Sequence, residues 1–168
     1  MGGLLTARVL SNHFQQVTIL ERDKVGDAPE ARKGQAHTRH LHVLLASGFD
    51  IMQGYFPGLA NALEAGGALV GDLGEALRWH AFGGYKVQFT CGLAGVMVSR
   101  SYLEWHIRRR VLALPNVRLI DECASDGLVT NDDASRVTGV HVVRRSKGKR
   151  REVYSAALVV DVSGRGTA

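Results

Sequence analysis

Cysteine and proline are scarce in this 168-residue chain, with two of the first and three of the second. Two isolated thiols, Cys91 and Cys123, cannot make a disulfide framework, and their separation argues against a structural zinc site. That usage predicts a reducing, cytoplasmic compartment. No run of about eighteen apolar residues occurs, so no transmembrane helix is expected. The first residues contain no basic segment leading into an apolar one, so no secretory signal is expected either. A Gly-x-x-x-x-Gly-Lys phosphate loop and a Gly-x-Ser-x-Gly elbow are both missing, which leaves kinase and hydrolase readings without support.

What is present is globular composition: 45% apolar and 22% charged residues, in a length that suits one domain spanning 1–168. Twenty glycines suit an α/β protein with many tight turns. The net charge is +5, and much of the excess lies in the run 144–151 between two strand-like segments, 137–143 and 152–160. Lys147-Gly148 reads as the tip of a hairpin there. With no aromatic residues interleaved, the run reads as a solvated tip, and no nucleic-acid partner is expected.

Leu4, Leu5, Val9, Leu10 and Phe14 fall at helical spacing, predicting a helix over 3–14. The β-branched run 16–20 predicts a buried strand ending at Glu21. Residues 22–40 read as a long loop, and 41–56 as a helix stopped by Pro57-Gly58. A short helix at 59–65 ends at Gly66-Gly67. Two or three strands are expected within 76–99. A helix follows over 101–114, with Ser99 or Ser101 as N-cap and Leu103, Ile107, Val111 and Leu114 as its apolar stripe. Strands are expected at 117–120, 123–130, 137–144 and 151–161. The runs 16–20, 117–120 and 157–161 are expected to be parallel neighbours in one sheet.

Glycines opening a helix, then a strand ending in an acid, form half of a dinucleotide-binding fingerprint. The free N–H groups and dipole of such a helix favour a pyrophosphate, and the acid accepts hydrogen bonds from ribose hydroxyls. Gly3 to Glu21 spans eighteen residues, which suits it. No strand precedes the glycines, and the chain stops on a glycine-rich turn after an apolar run. That pattern predicts a domain incomplete at both ends.

Five segments occur in a telling order: Met-Gly-Gly-Leu-Leu-Thr-Ala-Arg-Val-Leu, Val-Thr-Ile-Leu-Glu-Arg-Asp, Arg-His-Leu-His-Val-Leu-Leu, Val-Ser-Arg-Ser-Tyr-Leu-Glu and Leu-Val-Val-Asp-Val-Ser-Gly-Arg-Gly. Together they resemble the N-terminal part of an FAD-dependent oxidoreductase of the group-A flavin monooxygenase and epoxidase superfamily, which includes geranylgeranyl reductases. The resemblance implies an α/β, Rossmann-like FAD-binding domain with a parallel sheet and an additional antiparallel portion. It implies FAD as cofactor, NAD(P)H as reductant of a longer parent, and a small organic substrate. Carried over by position, Gly2 and Gly3 match the pyrophosphate loop, Glu21 the ribose acid, and Arg22 the residue following it. Arg39, and less directly His42, match a basic region near the flavin. Arg100 matches an arginine of the cofactor shell, and Ser125 the position whose backbone meets adenine. Asp161, Gly164 and Arg165 match the turn that closes over the cofactor.

Other readings stand beside these. Glu21 and Arg39 also suit a solvated surface, and Arg100 also suits a helix cap or ion pair. His37, His40 and His42, at spacings of three and two with no partnering cysteine or acid, predict no metal site. The chain as a whole reads either as the FAD-binding part of an oxidoreductase or as a non-catalytic remnant that binds nothing tightly. A nicotinamide-only dehydrogenase fits less well, because alternation of strand and helix is lost after residue 70.

Overall fold

A computed structural model describes residues 1–32, 38, 42–145 and 148–164. In chain order the elements are α1 (Gly2–Leu10), β1 (Val17–Leu20), β2 (Val43–Leu44), α2 (Ala46–Tyr55), α3 (Leu59–Ala65), β3 (Leu69–Asp72), α4 (Leu73–Ala76), β4 (His80–Ala81) and β5 (Gly84–Tyr85). Then come β6 (Ala94–Met97), α5 (Arg100–Leu112), β7 (Val117–Ile120), β8 (Cys123–Thr130), β9 (Val137–Arg144) and β10 (Arg150–Ser155). They form two compact units, Met1–Asp27 with Val111–Ala168, and Ala28–Arg110.

In the first unit β1 and β7 pair in parallel, Val17 opposite Val117 and Leu20 opposite Ile120. Two short β-branched runs far apart in sequence thus meet as expected. Helix α1 ends at Leu10 rather than continuing to residue 14. The N–H groups of Asn12 and His13 turn back three residues, to the carbonyls of Val9 and Leu10, which tightens the chain into a turn. The Asn116 amide then donates to the carbonyls of Ser11 and Phe14 at 2.8 and 2.9 Å, tying that turn to the start of β7. The remaining strands form an antiparallel sheet in the order β10-β9-β8. Its core is Cys123, Val140 and Val142, with Leu20, Ile120 and Tyr154 packed against it.

One strand expectation is corrected here. Residues 157–161 join no ladder, so the parallel pair β1–β7 has no third member among the described residues. An extended apolar segment becomes a strand only where a neighbour offers matching N–H and C=O groups. Just past the end of β10, the Ala156 N–H donates to the Thr138 carbonyl at 2.9 Å. The tip between β9 and β10 turns through Gly148 and Lys149, both left-handed; Ser146 and Lys147 lie outside the described residues.

In the second unit the sheet order is β2-β6-β3, all antiparallel. The helix expected over 41–56 begins only at Ala46, because Val43 and Leu44 are held opposite Met97 and Val96. Pairing with a distant strand overrides local helical spacing. Phe49, Met52, Phe56, Leu59 and Leu63 from α2, α3 and their junction are buried with Val96, Leu103 and Ile107. The Ser99 hydroxyl accepts the Tyr102 N–H at 3.3 Å, so Ser99, not Ser101, caps α5.

Sequence periodicity gave no sign of α4. The Asp72 carboxylate builds it by accepting from Gly74 and Glu75 N–H at the helix start, and from Cys91 N–H, the Cys91 thiol and Gly92 N–H across the unit. The Cys91 thiol bond, followed by the backbone donors, holds Asp72 far below the usual carboxylate range.

His106 is buried on α5, and its pKa is lowered first by that burial, then by Arg110 and Arg109. Its Nδ1 lies 3.2 Å from Arg110 Nη1, and its Nε2 has no partner among the described residues. The neutral ring is therefore the folded form. On unfolding, His106 regains its ordinary value of 6.5 and takes up a proton below it. Stability should be full above that value and fall as pH drops through it towards the lower folded value. The urea midpoint at about pH 5.5 should lie below that at about pH 8, and His106→Phe should flatten the difference. An unchanged slope in the variant would remove His106 as its source.

Candidate cofactor-binding site

The sequence-derived residues fall into two sets, one in each unit. In the first unit, α1 opens at Gly2 with no side-chain cap and no acid in its first turn. Its N-terminal N–H groups and dipole therefore face no competing carboxylate from the helix itself, an arrangement suited to an anion. Gly2 and Gly3 lie against Val162: a Cβ on Gly3 would stand 3.2 Å from Val162 Cγ2. The helix start and the 161–164 turn, over 150 residues apart in sequence, are thus in contact. In that turn Asp161 Oδ1 accepts the Ser163 N–H at 2.8 Å, and Gly164 adopts φ +78°, which favours glycine. Arg165 lies outside the described residues.

Glu21 follows directly on β1, its backbone N–H donating to Ile120 O and its carbonyl accepting from Cys123 N–H, both at 2.9 Å. Its half-buried carboxylate accepts the Asp23 N–H at 3.0 Å. Arg22 is exposed, with Nε 3.5 Å from Asp23 Oδ1. Ser125 is exposed on β8, where the register with β9 shifts between Ser125 and Leu128.

The second unit carries Arg100 at the first position of α5, half-buried, with Nε buried and without a partner among the described residues. His42 is also half-buried, and its pKa is lowered by burial and then by the charge of Arg100. An open cleft of about 620 Å³ is lined by His42, Gly66, Leu69, Met97, Ser99 and Tyr102 among others. In the sequence Gly66 reads only as a helix stop. A Cβ there would lie 1.7 Å from the Tyr102 hydroxyl oxygen, so the glycine leaves that hydroxyl its place at the cleft. A Gly-Gly pair at a helix end carries no signal that separates this role from chain termination. Arg39, His37 and His40 lie outside the described residues, and no metal-ligating cluster occurs among the described ones.

No family model matches the chain. Protein Rv3254 of Mycobacterium tuberculosis (strain ATCC 25618 / H37Rv) is 36% identical over 181 aligned positions, covering 99% of this chain and 36% of that protein. Among solved structures, PqsL of Pseudomonas aeruginosa, described as a probable FAD-dependent monooxygenase, matches with a TM-score of 0.60 at 13% identity, over 89% of this chain and 36% of that one. The fold is shared. PqsL in complex with 2-aminobenzoylacetate gives a TM-score of 0.62, again at 13% identity, over 89% of this chain and 37% of that one. The chain thus spans about a third of the length of these proteins. Its mixed architecture, a parallel pair with antiparallel sheets, shares the fold of about a third of the PqsL chain. No described helix is long and apolar enough to cross a membrane.

Proposed function

We propose that this chain is the FAD-binding part of a flavin-dependent oxidoreductase acting on a small organic molecule. The observation that carries the reading is the contact of Gly2 and Gly3, at the uncapped start of α1, with the turn after residue 160. The fold shared with PqsL supports it. In this reading the first-turn N–H groups of α1 hold the pyrophosphate, and the Glu21 carboxylate accepts from the adenosine ribose. In the second unit, taken by itself, the Arg100 Nε, without a partner among the described residues, is a donor for an acceptor group of a ligand. His42, kept neutral by burial and Arg100, adds a hydrogen bond without adding charge. FAD, when bound, supplies two-electron chemistry with NAD(P)H and oxygen, and the protein supplies binding and orientation.

A second reading, a remnant that holds no cofactor tightly, rests on one observation: residues 157–161 belong to no sheet among the described residues. Titration of the chain with FAD, followed by flavin fluorescence, separates the two. Saturable binding weakened roughly ten- to a hundredfold by Glu21→Ala supports the first, since a hydrogen bond to a charged acceptor contributes about 1.5–3 kcal/mol. Absence of saturation supports the second. Binding indifferent to Glu21→Ala removes that residue from the site.

A further inference from the structure

We propose that the cleft of the second unit binds a small organic carboxylate with an apolar body, and that the Tyr102 hydroxyl is the donor that orients its carboxylate. At about 620 Å³ the cleft has the size of a small-molecule site. Leu69, Met97 and Val98 give it apolar walls, and Leu69 is largely exposed there. His42, Ser99 and Tyr102 supply polar groups, and no acid lines the cleft among the described residues.

The Tyr102 ring is held by its neighbours, while its hydroxyl is spare. The ring centre lies 4.5 Å from that of buried His106, edge to face, and 5.9 Å from that of Trp105. Such ring contacts need no hydroxyl. The Tyr102 hydroxyl has no partner among the described residues. The fold nevertheless keeps room for it, since a Cβ on Gly66 would collide with the hydroxyl oxygen. Filling the cleft with apolar protein side chains would bury that donor unpaired, at a cost that an acceptor on a ligand removes.

The electrostatics select a single negative charge. Val98 N–H donates to the His42 carbonyl at 3.2 Å, which fixes His42 beside β6. Its imidazole is held neutral by burial and then by the charge of Arg100. One cation nearby, a neutral imidazole and no lining acid suit a carboxylate. A phosphate monoester, with close to two charges at neutral pH, fits less well. The inference deepens the oxidoreductase reading by naming a substrate class, and it rests on that reading only for calling the ligand a substrate. The cleft itself is built from the second unit alone.

The test is calorimetric titration of the full 168-residue chain with 2-naphthoate, its neutral amide and acetate. 2-Naphthoate should bind at one site, roughly tenfold or more tightly than the amide. Acetate, which lacks the apolar body, should bind roughly a hundredfold more weakly. Tyr102→Phe keeps the ring contacts, so the urea midpoint should stay unchanged while 2-naphthoate affinity falls roughly tenfold. Gly66→Ala should weaken binding at least as much, because the backbone at φ −99° accepts alanine and the new Cβ meets the hydroxyl. Equal affinity for acid and amide, binding indifferent to Tyr102→Phe, or displacement of 2-naphthoate by FAD overturns the proposal. A chain that takes up FAD but not 2-naphthoate also overturns it and leaves the cofactor reading standing. Uptake of 2-naphthoate without FAD supports the site and removes the cofactor reading instead.

Discussion

Glu104→Ala is expected to cost the second unit about 3–5 kcal/mol, the penalty for removing one partner of a buried charge cluster. Glu104 is only 3% exposed on α5 and lies between two guanidinium groups. Arg32 Nη2 donates to its Oε1, and Arg108, one turn along the helix, stands 3.8 Å from the same oxygen. Truncation would leave two cations facing each other in a poorly hydrated setting. Against a typical total of 5–15 kcal/mol, that is a large share. Both tryptophans, Trp79 and Trp105, belong to this unit, so urea unfolding followed by tryptophan emission reports its stability. The combined variant Arg32→Met, Glu104→Leu, Arg108→Met removes all three charges of this cluster and should lie much closer to the parent than Glu104→Ala does. Equal losses in the two variants would show that packing volume, not charge, governs this site.

Gly139→Val should be the most damaging substitution in the first unit. Gly139 lies in β9, the central strand of its sheet, opposite Ser155. A Cβ at this position would stand 2.5 Å from the Tyr154 carbonyl oxygen and 3.2 Å from the Ser155 Cα. Both are backbone atoms of the neighbouring strand, so no rotamer change relieves the clash and the ladder itself must open. Overpacking alone costs about 1–3 kcal/mol, and a β-branched side chain adds further crowding. Hydrogen exchange should locate the damage. The Ala156 amide, bonded to the Thr138 carbonyl at 2.9 Å, should exchange much faster in the variant. The Glu21 amide, bonded to Ile120 in the parallel pair, should change less. Unaltered protection at Ala156 would show that the strands separate here at little cost.

Much of the fold was legible in the chain because it is written locally. The β-branched runs at Val17–Leu20 and Val117–Ile120 mark strands through their own side chains, and Gly66 marks the end of α3. The apolar positions Leu103, Ile107 and Val111 marked the face of α5 that is buried. Half a nucleotide-binding fingerprint was legible for the same reason, since Gly3, α1, β1 and Glu21 form one continuous stretch.

Hydrogen-bond partners drawn from distant chain were not legible. Residues 43–44 and 157–161 are both short apolar runs, yet the first pairs with β6 and the second belongs to no sheet among the described residues. Asp72 builds α4 and is held by donors up to twenty residues away. The approach of Gly3 to Val162, the unpartnered Arg100 Nε and the charge cluster at Glu104 likewise arise from non-local neighbours. Side-chain pattern along a chain encodes how apolar each face is. Whether a backbone amide, a carboxylate or a guanidinium finds its partner depends on which remote segment arrives beside it, and only the tertiary fold determines that.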